Sequence, residues 1–214
     1  MRGCTVRAII LGLSLLVATS GCLMPHGESQ QVHTYRLSLD SEFPNQEAGT
    51  ANNTGAVLLV GVPQAIPGFD TQRMVYLPRP YEVSYFSANQ WVDTPSHMLI
   101  PLLVTTLERT RVWRAVVTAP NPLRADYRVD VNGLLLAQEF FQPPSRLRLA
   151  WRAQLIDLRS GQVLGTRFFE ATQEALSEDA YGGVRAANQG VAALLEEMSL
   201  WVKGCMTKPE KATC

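Results

Sequence analysis

Asp93, Ser96 and His97 place an acid, a hydroxyl and an imidazole within five residues. Those three types make up a nucleophilic relay, in which the base takes the hydroxyl proton and the acid orients the base. Their spacing argues against one. Residues this close at the start of a single helix cannot easily converge, and capping with helix-dipole interactions accounts for Asp93 and Ser96. His26 falls in a polar leader and His33 in a strand, so a three-histidine metal site is not expected. Glu196 and Glu197 read as the solvent face of a late helix. There is no G-x-S-x-G, phosphate loop, dinucleotide fingerprint, H-E-x-x-H or paired C-x-x-C. No catalytic residue, metal ligand or cofactor is expected, and the chain reads as a non-enzyme.

The four cysteines carry more chemistry. Arg2 and Arg7 are followed by an uncharged run over residues 8–18 and the small residues Thr19, Ser20 and Gly21. The run is shorter than the roughly 20 apolar residues of a membrane span, so it reads as a secretory signal over residues 1–21 rather than a buried helix. The segment from Ala18 to Cys22 resembles a bacterial lipobox, with cleavage between Gly21 and Cys22 and lipidation of Cys22. Thr19 departs from the usual aliphatic residue, while Ser20 and Gly21 fit. Leu23 stands where an Asp would signal inner-membrane retention, which favours the outer membrane. Two or three acyl chains anchor a protein stably, at about 0.8 kcal/mol per buried CH₂. Residues 22–32, with Pro25 and Gly27, form a polar tether. Cys4 leaves with the signal, and Cys205 and Cys214 remain, an even pair in an exported chain. A bridge between them closes a loop of roughly ten residues, for which chain entropy gives about 2.5–3 kcal/mol. The alternative is two free thiols on the tail at 204–214.

Neutral composition excludes a different class. The formal charge is +0, and 18% of residues are charged. Removing Arg2 and Arg7 leaves 17 basic against 19 acidic side chains, a net −2. Nucleic-acid binding needs clustered excess Lys and Arg, so no nucleic-acid partner is expected.

The 214 residues fit one domain over 33–203. Residues 33–39 alternate as a first strand, 40–55 read as a long polar loop, and 56–62 as a strand covered on both faces. Two short strands, 73–77 and 81–86, make a hairpin through Pro78-Arg79-Pro80. Thr94 and Pro95 start a helix whose buried face is Met98, Leu99, Leu102, Leu103, Thr106 and Leu107, and Pro101 should kink it or delay its start. Residues 112–118 return as a strand, which makes an embellished crossover between parallel strands. Residues 127–141, 146–158 and 162–172 form an antiparallel meander, with a bulge at Gly133 where the alternation slips. A helix over 177–203 closes the fold. Gly182-Gly183 weakens its first turns, and Gly190 permits close packing on the sheet.

Two surfaces stand out. Phe69, Tyr76, Tyr81, Tyr85, Phe86 and Trp91 gather six of the 17 aromatics. They are core, or they are a docking surface for a partner or a second copy. Arg146, Arg148 and Arg152 alternate with Leu147, Leu149 and Trp151, as on the solvated face of a strand.

Tyr35-Arg36-Leu37, Val62-Pro63 through Pro67, Arg73 to Tyr76, Tyr81-Glu82-Val83 and Trp91 to Pro95 continue in order into the strand at 126–141. With the turn from Leu158 to Gln162, this ordered set behind a lipobox resembles the ABC-type transport auxiliary lipoprotein component family. The resemblance implies an α/β fold with a mixed sheet and packed helices, similar to the N-terminal domain of the Tol-system propeller protein. It implies an outer-membrane-anchored periplasmic accessory of a mammalian-cell-entry (MCE) type ABC system moving lipids or hydrophobic solutes. An MCE-family periplasmic subunit and a homo-oligomer are the implied partners, with the membrane reached through the lipid. The competing reading is a structural lipoprotein of outer-membrane assembly or the cell wall.

Overall fold

Among the residues described by the computed structural model (31–39, 55–207 and 214), periodicity turns into nine strands and two helices. In chain order these are β1 (His33–Tyr35), β2 (Val57–Val60), β3 (Gln64–Ala65), β4 (Arg73–Leu77), β5 (Ser84–Trp91) and α1 (Pro95–Arg109). They continue with β6 (Ala115–Thr118), β7 (Tyr127–Glu139), β8 (Arg146–Asp157), β9 (Gln162–Glu174) and α2 (Ala180–Thr207). The chain divides into a unit ending at Gln31 and one from Val32 to Cys214. Cys22, the signal, the tether as far as residue 30 and the loop at 40–54 lie outside the described residues.

One strand connects the sheet. Along one edge β7 pairs antiparallel with β8, which pairs with β9 as the expected meander. Along its other edge β7 meets three parallel partners in succession: β2 at Tyr127 to Val129, β3 at Asn132 and Leu134, and β4 at Gln138 and Glu139. β6 extends the sheet beyond β2 in parallel, as a crossover requires, while β5 and then β1 extend it beyond β4. Gly133 has φ +67°, and the register with β8 slips between Asn132 and Leu135. The bulge moves the buried set from Val129 and Val131 to Leu134, Leu136 and Gln138.

Both helices lie on one face. α1 packs on β2, β3 and β6, α2 packs on β8 and β9, and the two touch. In β8, Leu147, Leu149, Trp151, Ala153 and Leu155 face this core, and Phe169 bridges Trp151 to Trp201 of α2 with centroids 6.4 and 5.7 Å apart. α1 begins as its sequence requires: the Thr94 hydroxyl accepts from the His97 N–H at 3.4 Å, and Pro95 takes the first position.

Several boundaries differ from the pattern. Pro101 does not delay α1, because it lies on the exposed side with His97, whose carbonyl it leaves without an intrahelical donor. The strand at 33–39 is paired only to Tyr35; beyond it Leu37 and Leu39 are buried, and the Ser38 N–H donates to Asn188 Oδ1 of α2 at 2.7 Å. Tyr81 is outside the hairpin strands, at φ +70° in the turn before Ser84. α2 starts later than Ser177 because Asp179 caps it, accepting from the Gly182 N–H at 2.7 Å, and it continues through Gly204 to Thr207.

The helix glycines have roles other than those expected. A Cβ on Gly182 would overlap Ser177, and one on Gly183 would overlap the buried Gln138 carboxamide. Gly183 lets α2 approach Gln138 of β7, and Gly182 lets the segment at Ser177 fold against the helix start. Gly190 has no such role, since a Cβ there would sit 3.6 Å from Gln173 and 3.8 Å from Leu149, ordinary contact distances. Gly190→Ala should therefore raise the urea midpoint, gaining about 0.5–1 kcal/mol from reduced backbone entropy. Gly183→Ala should lower it by about 1–3 kcal/mol, because Gln138 has to move.

A second node is the Asp126 carboxylate. Its Oδ2 accepts from the Val57 N–H at 2.8 Å and its Oδ1 from Arg159 Nε at 2.9 Å, which joins the start of β2 to the β8–β9 turn. The Val57 N–H first, and the Arg159 guanidinium second, hold its pKa below the ordinary 3.8. A carboxylate lowered in the folded state stabilises above its unfolded pKa, and that contribution is lost as pH falls through the folded value. Glu139, raised by burial, works in the opposite sense. Asp126→Asn should lower the thermal midpoint at pH 7 and flatten its fall between roughly pH 5 and 2, read by circular dichroism.

Candidate functional site

The residues with catalytic types are used for local structure. Asp93 Oδ1 accepts from the Thr94 N–H at 2.7 Å and lies 3.3 Å from His97 Nδ1 at the solvent-exposed start of α1. Ser96 is 2% exposed and faces the core, away from His97. The three do not converge. His33 stacks near Tyr35 on β1, with centroids 6.5 Å apart. Among the described residues no three of His, Cys, Asp and Glu come together as metal ligands.

The arginines stand on the sheet face without helices. Arg148 Nε donates to Glu170 Oε1 at 2.6 Å and lies 3.9 Å from Glu139, while Arg146 reaches Glu174 at 3.2 Å. Glu139 is mostly buried, whereas the pairs with Glu174 and Glu170 are exposed to solvent and contribute roughly 0–1 kcal/mol each. Arg152 stands between Asn132 and the exposed Phe168 in the register. This face is held together by its own acids, leaving little net charge for a ligand.

The aromatic hairpin divides into parts. Trp91 is 3% exposed in the core, so it forms no part of a surface; β5 continues to it, facing the helices. Tyr85 lies beneath the Arg73 guanidinium, 3.8 Å from its ring centroid, and its hydroxyl donates to the Gly68 carbonyl at 3.2 Å. Phe69 is half-buried nearby in the sequence. Tyr76 packs with Phe86 at 4.7 Å and with Phe140 at 5.8 Å. Tyr81 touches neither group. It is fully exposed, in a left-handed conformation that costs a bulky residue roughly 1–3 kcal/mol.

Sequence reasoning missed the residues that join this hairpin from elsewhere. Phe140 enters through the parallel pairing of β4 with β7, and Phe141 is exposed in the turn that follows. The Phe-Phe pair before Pro143-Pro144 was the available signal, but nothing in it showed which strand lies beside it. Also missed was a cavity of about 470 Å³ between the late turns of the two helices, lined by Leu39, Thr106, Arg109, Glu196, Leu200 and Lys203.

Cys205 and Cys214 have Cα atoms 5.0 Å apart. Cys214 packs back on β9, where a Cβ on Gly165 would approach its carbonyl to 2.8 Å.

The described residues thus form a two-layer α/β domain in which Asp93 and His97 stand at the cap of α1, Arg146 and Arg148 are held in ion pairs, and one sheet face carries no helix. The chain belongs to the ABC-type transport auxiliary lipoprotein component family, whose model matches residues 35–199. An uncharacterized protein of Bradyrhizobium diazoefficiens is 21% identical over 168 residues, 78% of this chain and 44% of that protein. The chain thus spans less than half the length of that relative. The crystal structure of protein XCC0632 from Xanthomonas campestris superposes with a TM-score of 0.69 at 19% identity, covering 82% of this chain and 95% of that one. A second crystal structure, of an uncharacterized protein, gives 0.60 at 17% identity over 80% and 99%. These two likenesses show the fold, a mixed α/β domain with two packed helices. By its description, that family comprises auxiliary lipoprotein components of ABC-type transport.

Proposed function

We propose that the mature chain begins at Cys22, is lipidated there, and works as a non-enzymatic periplasmic subunit anchored to the outer membrane. It docks the periplasmic MCE-family subunit of an ABC transporter that moves lipids or other hydrophobic solutes across the envelope, and it assembles as a homo-oligomer. The observation that carries this reading is the family match over residues 35–199, lying directly behind the lipobox and a short polar tether. On this reading residues 1–21 are signal, 22–32 tether, 33–203 auxiliary domain and 204–214 tail.

We propose also that Cys205 and Cys214 are bridged. A Cα separation of 5.0 Å fits a disulfide between Cys205 and Cys214, and an exported chain meets the oxidising conditions that keep one.

Intact mass of the chain purified from membranes tests two steps together. Acyl chains on Cys22 and the loss of two hydrogens at Cys205 and Cys214 are expected; an unmodified Cys22 removes the anchor, and two free thiols remove the bridge. Affinity purification of the lipidated chain in mild detergent should recover a subunit with an MCE domain. Deleting the gene should weaken solvent tolerance and lipid asymmetry of the outer membrane. Recovery of cell-wall or assembly proteins instead, with transport phenotypes unchanged, would favour the structural-lipoprotein reading.

A further inference from the structure

The sheet has two ends, and they are not equivalent. One end carries the β4–β5 turn, the β7–β8 turn and the exit from β9. These are tied together by the Phe140 N–H donating to the Leu77 carbonyl at 2.9 Å and the Ala175 N–H donating to the Ser145 carbonyl at 2.8 Å. Tyr81, Val83, Phe141 and Leu176 are all exposed at this end. The other end carries the β8–β9 turn, where Leu158 and Val163 are exposed but no aromatic ring is, together with the end of α2 and Cys214.

Tyr81 combines two costs that its own domain does not offset. Its backbone is left-handed at φ +70°, and its side chain is fully exposed at the tip of a turn held between Pro78, Pro80 and the Arg79–Glu82 ion pair. The ion pair neutralises the only charged side chains of the turn. A tyrosine at such a tip presents an apolar ring and a polar hydroxyl together, the chemistry that suits the boundary between headgroups and acyl chains.

The direction of β1 distinguishes the two ends. β1 runs parallel to β5 with His33 opposite Asn89, so its N-terminal side points to the β4–β5 turn. Through the irregular register of β5, Gln90 stands opposite Arg73 while Ser84 stands opposite Tyr76, which puts His33 roughly 10 Å along the sheet from the base of that turn. The eleven steps from Cys22 to His33 reach at most about 38 Å, enough to clear the turn with length to spare. Reaching the opposite turn would require the chain to reverse against the direction in which it enters β1.

We infer that the end of the sheet carrying Tyr81 rests on the membrane that holds the lipid, with Tyr81 seated at the headgroup boundary. This rests on the lipidation of Cys22 proposed above. The domain then stands on its turns, with the long strands along the membrane normal and the C-terminal end turned away.

The test uses the lipidated full-length chain in vesicles of phosphatidylethanolamine and phosphatidylglycerol. A nitroxide is placed on Tyr81→Cys or, at the opposite turn, on Ser160→Cys. On reconstitution from detergent, collisions of the label at 81 with oxygen should rise severalfold relative to those with a water-soluble nickel chelate, while the label at 160 stays aqueous. Two aqueous labels, or lipid contact at 160 alone, would overturn the inference. So would immobilisation of the label at 81 that depends on protein concentration, since that points to a second copy. Tyr81→Gly should fold with an unchanged or higher thermal midpoint; a fall would mean that Tyr81 packs within its own domain. Replacing the leader and Cys22 with a hexahistidine tag on nickel-chelating lipid repeats the measurement without acylation. A missing acyl group and a missing contact at Tyr81 are then separate results.

Discussion

The fold depends on one strand having three partners on the same edge. β7 is 13 residues long, and β2, β3 and β4 take successive portions of it, so the parallel part of the sheet joins the meander only through this strand. A regular strand could not do this and keep its faces. Side chains before the bulge bury odd-numbered residues, Val129 and Val131, whereas after it the buried residues are Leu134 and Leu136. Without the extra residue at Gly133, the second half of β7 would turn its leucines toward the open face. The bulge also falls where β3 replaces β2 as the partner. One left-handed glycine therefore sets the register of β4 and β5, and through them the position of the aromatic end.

This dependence explains what could be read from the sequence. Elements governed by local periodicity were legible: the three meander strands, the slip at Gly133, the Thr94 cap and the apolar stripe of α1. Features set by a distant neighbour were not. Trp91 has the same aromatic signature as Tyr81, yet one lies in the core and the other in water, because only one continues a paired strand. Gly183 and Gly190 are alike in sequence, and the difference between them is whether Gln138 or Leu149 lies opposite. Pro101 warned of a break that did not occur, because the carbonyl it orphans faces outward. In each case the missing information was a contact between elements far apart in the chain.

The same distinction bears on the surfaces. The open sheet face appears rich in arginine when read along β8, but its register sets Arg146 and Arg148 against Glu174, Glu170 and Glu139 from both neighbouring strands. Satisfied ion pairs on a solvated face add modest stability and help fix which residues stand opposite one another. They give a partner little uncompensated charge to recognise. The aromatic end differs in kind: exposed rings in turns have no internal partner to lose on binding, so burying them against another surface removes apolar area from water without breaking a contact.

The two ends of the sheet thus solve different problems. At the C-terminal end, α2 runs past Gly204, and Cys214 lies against Gly165 on β9. At the turn end nothing among the described residues covers Tyr81, and the strand that receives the chain points that way. On the anchoring proposed for Cys22, a lipid would fix only a point and leave the domain free to rotate; a second contact at the same end would restrict the tilt. A rigid turn bearing an aromatic ring supplies such a contact at little entropic cost, because the prolines have already restricted its backbone.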